Sequence, residues 1–288
     1  MAGSTPASAM NNAWPRFLEH RLAVAGLGLI LALILLALSA RQVAPHDPLR
    51  QDLPHALAGP SIAFPLGTDE FGRCILSRIL FGARLSLLVG VIATAIGATA
   101  GILSGLAAGY FPRLDAPVMR TMDVLLAFPS ILLAIAIVAA LGPSLGNVMI
   151  AVGVRSIPSF ARLARSMVLS LKELDFVQGA TALGASHGRV LFRHILPNSV
   201  SPLLVFSSMQ VATAILLAAI LSFLGLGVQP PTPEWGKMVS DGRAYLLEAP
   251  HVSLFPGLAI FIAVMGFNCL GDGLRDALDP RVGRVAVE

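Results

Sequence analysis

Long uncharged apolar runs recur along the chain, and their length decides its class. Crossing the hydrocarbon core of a bilayer takes ~20 mainly apolar residues in a helix. Leu22 to Ala40, Leu85 to Phe111, Val124 to Val154, Ser199 to Gln229 and Val252 to Gly271 are such runs. The third contains Gly142, Pro143, Ser144, Leu145 and Gly146, a cluster that predicts a turn between two helices. The pattern therefore predicts an all-α integral membrane protein with about six transmembrane helices. Arg155 and Pro158 break the fourth of these, with Arg162 and Arg165 close behind, so five spans stay open as an alternative.

Charge orients the runs, because Lys and Arg collect in cytoplasmic loops. With the N-terminus inside, segments 1–21, 112–120, 155–195 and 273–288 are cytoplasmic and hold 13 of the 20 basic residues. Five of the remaining seven (Arg41, Arg50, Arg73, Arg78, Arg84) sit in one long outer segment, where the bias is weaker. The expected organisation is a cytoplasmic tail 1–21, a first transmembrane helix 22–40, an outer segment 41–84, a core transmembrane region 85–272 with a cytoplasmic loop 172–197, and a cytoplasmic tail 273–288. The 19 residues of the first run exceed the ~7–15 of a signal peptide, and Leu38 stands where a small residue is preferred before cleavage. That run reads as a retained helix.

Composition narrows the class further. With 56% hydrophobic and 12% charged residues, the chain lacks the polar surface to clothe a soluble globule. Its net charge of +4 does not point to nucleic acid, because the basic residues lie at the ends of apolar runs and form no stripe with interleaved aromatics. Cys74 and Cys269 are too far apart in sequence to argue a disulfide framework or a CxxC site. His20, His46, His55, His187, His194 and His251 show no metal-ligand spacing, and no nucleophile and base can be paired locally, so no catalytic or metal residues are expected. The phosphate-cradling pattern Gly-x-x-x-x-Gly-Lys-Ser/Thr does not occur, so energy from ATP would have to be supplied by another chain.

The cytoplasmic loop 172–197 predicts two short helices. Asp175 is placed to N-cap the first, Gln178 to complete a variant capping box, Gly184 to take the left-handed position after it, and Ser186 to cap the second. Phe176, Val177, Ala180 and Leu183 fall on one face, and Gly179, Ala180 and Ala182 allow close approach by another surface. An interfacial amphipathic helix is the plain alternative. The helix is short for that role, and basic residues are absent between Lys172 and Arg189, which favours a knob that enters a socket on a partner protein.

Three other features are singled out. In the outer segment Gly67, Asp69, Gly72 and Arg73 predict a turn with Asp69 capping backbone amides; a solvated spacer is the alternative to a role at the outer mouth. Ser207, Ser208, Gln210 and Thr213 in the fifth span are candidates to line a polar path, with helix packing the plainer role for most and Gln210 the better candidate. Arg155 is the costliest group if it lies deep, and a snorkelling stem could carry it to the headgroups.

The loop carries a resemblance in Gln178, Gly179 and Ala180, then Gly184, then Ile195, Leu196 and Pro197. It resembles the "EAA…G…I-x-L-P" loop of membrane subunits of bacterial binding-protein-dependent ABC importers, with Gln178 and Gly179 in place of Glu and Ala and His194 in place of Ile. Leu66 to Arg73, Ser77 with Arg78, and Gly82 to Ser86 resemble the outer-loop signature of the C-type permease of dipeptide, oligopeptide and nickel importers, Cys74 replacing an Asp. Leu221 to Gly236 and Gly271 to Pro280 are similar to the same subunits, so the resemblance spans most of the chain.

It implies the type I ABC importer permease (MetI-like) fold in the bacterial inner membrane. It also implies a coupling helix built from Asp175, Phe176, Val177, Gln178, Gly179, Ala180, Leu183 and Gly184 that docks on an ATPase. The implied partners are a homologous B-type permease in a heterodimer, two ABC ATPase subunits that use the ATP, and an extracytoplasmic solute-binding protein. The expected cargo is dipeptides or oligopeptides. Nickel chelates, glutathione or another small solute are the rival within the family. An ion-coupled secondary transporter would call for intramembrane acids, and Asp123 and Asp272 lie only at helix ends.

Overall fold

The computed structural model describes residues 17–278, and regular structure among them is helical apart from one bridge between Thr68 and Cys74. In chain order the main helices are α1 (Arg21–Leu38), α2 (Ile75–Tyr110), α3 (Pro112–Ala127), α4 (Ser130–Leu141), α5 (Leu145–Leu171), α6 (Asp175–Ala182), α7 (Leu196–Phe223), α8 (Trp235–Gly242) and α9 (His251–Leu278). The expected tail calls at 1–16 and 279–288 lie outside the described residues.

Four helices among the described residues are long and apolar enough to cross a membrane: α1, α2, α9, and α7 taken with its N-terminal extension as His187–Phe223. α3 and α4 make a fifth when read as one broken span, bent by 93°. The bend falls at Phe128 and Pro129, where proline forces the preceding residue into an extended conformation (Phe128 ψ 136°) and so ends the helix. The fourth of the expected spans is α5. α5 is a 27-residue helix, but Arg155, Arg162 and Arg165 keep it out of the set that length and composition alone identify as spans.

Two boundaries also move. α2 begins at Ile75, well before Leu85, because Arg78 is buried and paired and so does not end the helix. The expected cytoplasmic loop 112–120 is helical, with Pro112 in the first turn of α3, a position where the missing N–H costs nothing. The turn at 142–146 is as expected: Gly142 takes φ +92°, and the Ser144 hydroxyl accepts from Asn147 N at 3.1 Å.

α1 buries Ala23, Gly26, Ile30 and Ala37 and exposes Leu22, Leu29, Leu31 and Leu35. The buried positions form one stripe against α9, while the exposed face is equally apolar, as suits a helix with lipid on one side. The central pair is α2 and α5. A Cβ added to Gly101 would stand 2.5 Å from Phe160 Cβ, and one on Gly109 would stand 2.7 Å from Val168 Cβ, so the glycines set how closely these backbones approach. At the end of the pair nearer α6, Arg165 grips Asp115 of α3 through two bonds of 2.5 and 2.6 Å, and Arg162 holds Asp123 at 2.6 Å. At the other end Trp235 is fully buried and donates its indole N–H to Ile79 O at 3.0 Å.

Candidate functional site

The expected knob, Asp175–Ala182, is a short helix held from within. Val177 is 2% exposed and packs with Leu106 of α2, Val168 of α5 and Val190, Leu191 and Ile195. Its three neighbours on the predicted apolar face do not share that burial. Phe176 is 46% and Leu183 91% exposed, and Ala180 is intermediate. The single face expected from spacing is therefore split: Val177 anchors the helix to its own chain, and Phe176 and Leu183 point away. Gln178 and Gly179 are exposed, the latter with open space where a Cβ would lie.

The capping expectation is corrected as well. Leu174 is the N-cap, with extended backbone (φ −79°, ψ 141°), and Asp175 occupies the first helical position, where its charge favours the positive end of the helix. Gln178 donates from Nε2 to Glu173 O at 3.2 Å and forms no capping box. Gly184 takes φ +82°, as expected, and Ala185 N bonds to Ala180 O at 3.1 Å. Ser186 does cap the next turn, accepting from Arg189 N at 3.4 Å. That turn is not a separate helix: His187–Arg189 runs through a π-turn, Val190–Ile195, directly into α7. The turn that follows the knob is thus continuous with a spanning helix. Tyr110 Oη and His187 Nδ1, 3.0 Å apart, tie its far side to the end of α2.

The outer turn is a buried charge cluster. Gly67 and Gly72 adopt φ +80° and +71°, and a side chain on Gly72 would collide with the backbone of Asp52. Asp69 Oδ1 accepts from Phe71 N at 3.0 Å and Arg73 N at 2.9 Å, which is the backbone capping expected of it. Its Oδ2 also receives Arg73 Nε at 2.7 Å and faces Arg78 Nε at 3.3 Å. All three residues are buried. Arg78 reaches on to Pro48 O at 3.2 Å, so the cluster locks the outer loop onto the first turn of α2.

Glu70 accepts from Arg73 at 3.1 Å through Oε1 and leaves Oε2 buried without a partner. Burial pushes its carboxyl above the ordinary value of 4.5, with Asp69 and Asp241 adding to the rise. Stability from neutral Glu70 is complete below pH 4.5 and is lost as pH rises through the higher folded value. Glu70→Gln is expected to melt with a flatter pH dependence than the parent between pH 4.5 and that higher value, as read by thermal denaturation of the purified protein.

The candidate path residues are treated unequally by the structure. Ser207 donates to Leu203 O at 2.7 Å, Ser208 to Val205 O at 2.7 Å and Thr213 to Met209 O at 3.1 Å, all within α7. Ser208 also packs beneath Gly271 of α9. Gln210 is half-buried and has no hydrogen-bond partner among the described residues.

Glu234 is a keystone that spacing does not reveal. Buried at the head of α8, it accepts from Gly236 N and Lys237 N, each at 2.9 Å, and lies 3.4 Å from Ser86 Oγ of α2. The available signal was the Pro-Glu-Trp-Gly stretch ending at Gly236.

The comparisons with known proteins agree with this architecture. An inward-facing structure of the MetNI methionine ABC transporter aligns with TM-score 0.55 at 15% identity, covering 71% of this chain and 98% of that one. An amino acid ABC transporter structure with histidines gives TM-score 0.51 at 16% identity, covering 68% and 92%. Both share the fold. The dipeptide transport system permease protein DppC of Alkalihalophilus pseudofirmus is 48% identical over 96% of this chain and 92% of its own length. The glutathione transport system permease protein GsiD of Pectobacterium atrosepticum is 50% identical over 93% and 90%. Residues 8–60 match the N-terminal TM domain of oligopeptide transport permease C, and residues 75–284 match the binding-protein-dependent transport system inner membrane component. On that match and those identities, the chain belongs to the family of binding-protein-dependent transport system inner membrane components.

Proposed function

We propose that this chain is the C-type permease half of an ATP-binding-cassette importer that carries dipeptides or similarly small peptides, glutathione included, across the inner membrane. The observation that carries the reading is the near-50% identity, over more than nine-tenths of the chain, to permeases named for dipeptide and glutathione transport. The proposed partners are a homologous B-type permease, two ATPase subunits and a solute-binding protein outside. ATP is used by the ATPases, and this chain performs no catalysis of its own. Both termini lie in the cytoplasm.

The knob supports the mechanical part of this reading. α6 rests on α2 and α5 through Val177, which also packs on the π-turn that leads into α7, so a push on Phe176 and Leu183 reaches three helices at once. Closure of the ATPases would then rock the bundle between outward-open and inward-open states. The test is uptake of a radiolabelled dipeptide and of glutathione into proteoliposomes holding all the subunits and loaded with ATP. Accumulation of either, abolished when ATP is omitted, is the expected result. Uptake driven by a proton or sodium gradient without the ATPases would overturn the reading in favour of a secondary transporter.

A further inference from the structure

α5 carries three arginines, and two of them are neutralised by α3. Arg162 holds Asp123 and Arg165 holds Asp115, while Arg155 has neither a hydrogen bond nor an ion pair among the described residues. Ten residues separate it from Leu145, the outer start of α5. At 1.5 Å per residue that is ~15 Å, or half of the ~30 Å hydrocarbon core. An unpaired guanidinium at that depth is expensive, and such groups face the bundle interior or a watery cavity when they persist.

The bend between α3 and α4 ends the cover that α4 gives to α5 near that depth. Asn147 Nδ2 bonds to Leu141 O and Gly142 O at 2.9 and 2.8 Å, and Ala134 and Val138 pack against Val148 and Val152, so α4 lies antiparallel on the outer half of α5. α4 has only 12 residues, a length of ~18 Å. It therefore begins at about the depth of Arg155, where the chain turns through 93°. Below that level Arg155, Ser159, Arg162 and Ser166 follow one another at i, i+4, i+7 and i+11 on a face that α4 no longer covers. Arg162 and Ser166 are exposed, and Arg155 and Ser159 are partly so.

α7 contributes at the same depth. The Phe160 and Phe206 rings meet edge to face at 4.9 Å and set the register between the antiparallel α5 and α7. Arg155 lies five residues outward of that contact and Gln210 four, or ~7 and ~6 Å. An unpaired guanidinium and an unpaired carboxamide are thus held level, about halfway through the membrane.

We infer that Arg155 is the carboxylate-binding group of the translocation path, taking the α-carboxylate of the solute in transit, with Gln210 of α7 at the same depth to bond the peptide amide. The inference rests on the peptide reading above, since a dipeptide and glutathione each present a free carboxylate, which a guanidinium receives through two parallel bonds.

The test uses the whole importer in proteoliposomes, with Arg155→Gln and Arg155→Lys in this chain and a radiolabelled dipeptide and glutathione as probes. Arg155→Gln is expected to lower uptake at least tenfold while the subunits still co-purify, and Arg155→Lys to stay within about threefold of the parent by keeping the charge. In the assembled importer phenylglyoxal should modify Arg155, as read by mass spectrometry, and millimolar dipeptide should slow the modification. Loss of subunit assembly in Arg155→Gln, or an Arg155 that resists the reagent in the complex, would mean that it pairs with an acid of the partner permease, and the inference falls. Unchanged uptake in Arg155→Gln, or a lysine variant as poor as the glutamine one, overturns it too. Failure of the parent importer to take up either solute counts against the peptide reading and not against Arg155.

Discussion

Replacing Leu183 with aspartate is expected to abolish co-purification of the ATPase subunits and ATP-dependent uptake while leaving the melting temperature of the permease unchanged. Leu183 is 91% exposed at the last turn of α6, so nothing in this chain depends on its side chain. Many exposed leucines lie on α1, α2, α7 and α9, long helices suited to lipid, whereas this one stands at the end of the short helix α6, where water would be its alternative neighbour. An apolar anchor that fills a partner's pocket contributes about 2–4 kcal/mol, and a carboxylate there would be desolvated without a counter-charge. Affinity should fall by roughly 30- to 1,000-fold. Val177→Asp provides the contrast. It places a charge in the cluster of Leu106, Val168 and Ile195 and should destabilise the permease itself. Retained ATPase binding in Leu183→Asp would remove the docking role from α6.

The second large effect is expected at Asp69. Asp69→Ala leaves the guanidinia of Arg73 and Arg78 buried without their shared carboxylate and frees the amides of Phe71 and Arg73. Breaking a buried ion pair from one side costs about 3–5 kcal/mol, because the remaining charge cannot recover its hydration. The outer loop should come away from the start of α2, seen as rapid proteolysis between residues 46 and 74 and a lowered melting temperature. Asp69→Asn keeps the size and one acceptor, so the loss should be smaller. An Asp69→Ala variant that melts like the parent and resists protease would show that the loop is held by other contacts.

Much of this fold was legible in the runs of apolar residues, because a bilayer imposes a length that a sequence cannot hide. The runs at 22–40, 199–229 and 252–271 each became one principal helix. Gly184 was equally legible: the knob needs a residue at φ +82° after its last turn, and only glycine takes that without strain. The fourth expected span, α5, was not legible. Its arginines contradict a lipid-facing helix, and the contradiction is relieved by Asp115 and Asp123 on α3, some forty to fifty residues away in sequence.

Other features depended on neighbours. Spacing put Phe176, Val177, Ala180 and Leu183 on one face, yet only the packing of α2, α5 and the π-turn shows that Val177 is inward and Leu183 outward. Asp175 satisfied the composition of an N-cap, but the chain enters the helix one residue earlier, through Leu174. Ser207 and Thr213 looked polar in sequence and are satisfied by carbonyls of their own helix, a local bond that composition does not announce.

The sequence by itself therefore determined the class, the apolar runs, the segment that carries the knob and the absence of a phosphate-binding loop, since each rests on length, composition or a local motif. Tertiary structure alone decided which charges are paired and which is left over. Pairing depends on which helices meet, and that is fixed by a proline bend at Phe128 and Pro129 and by glycines that bring α2 and α5 together. Arg155 is set apart from Arg162 and Arg165 only by that geometry.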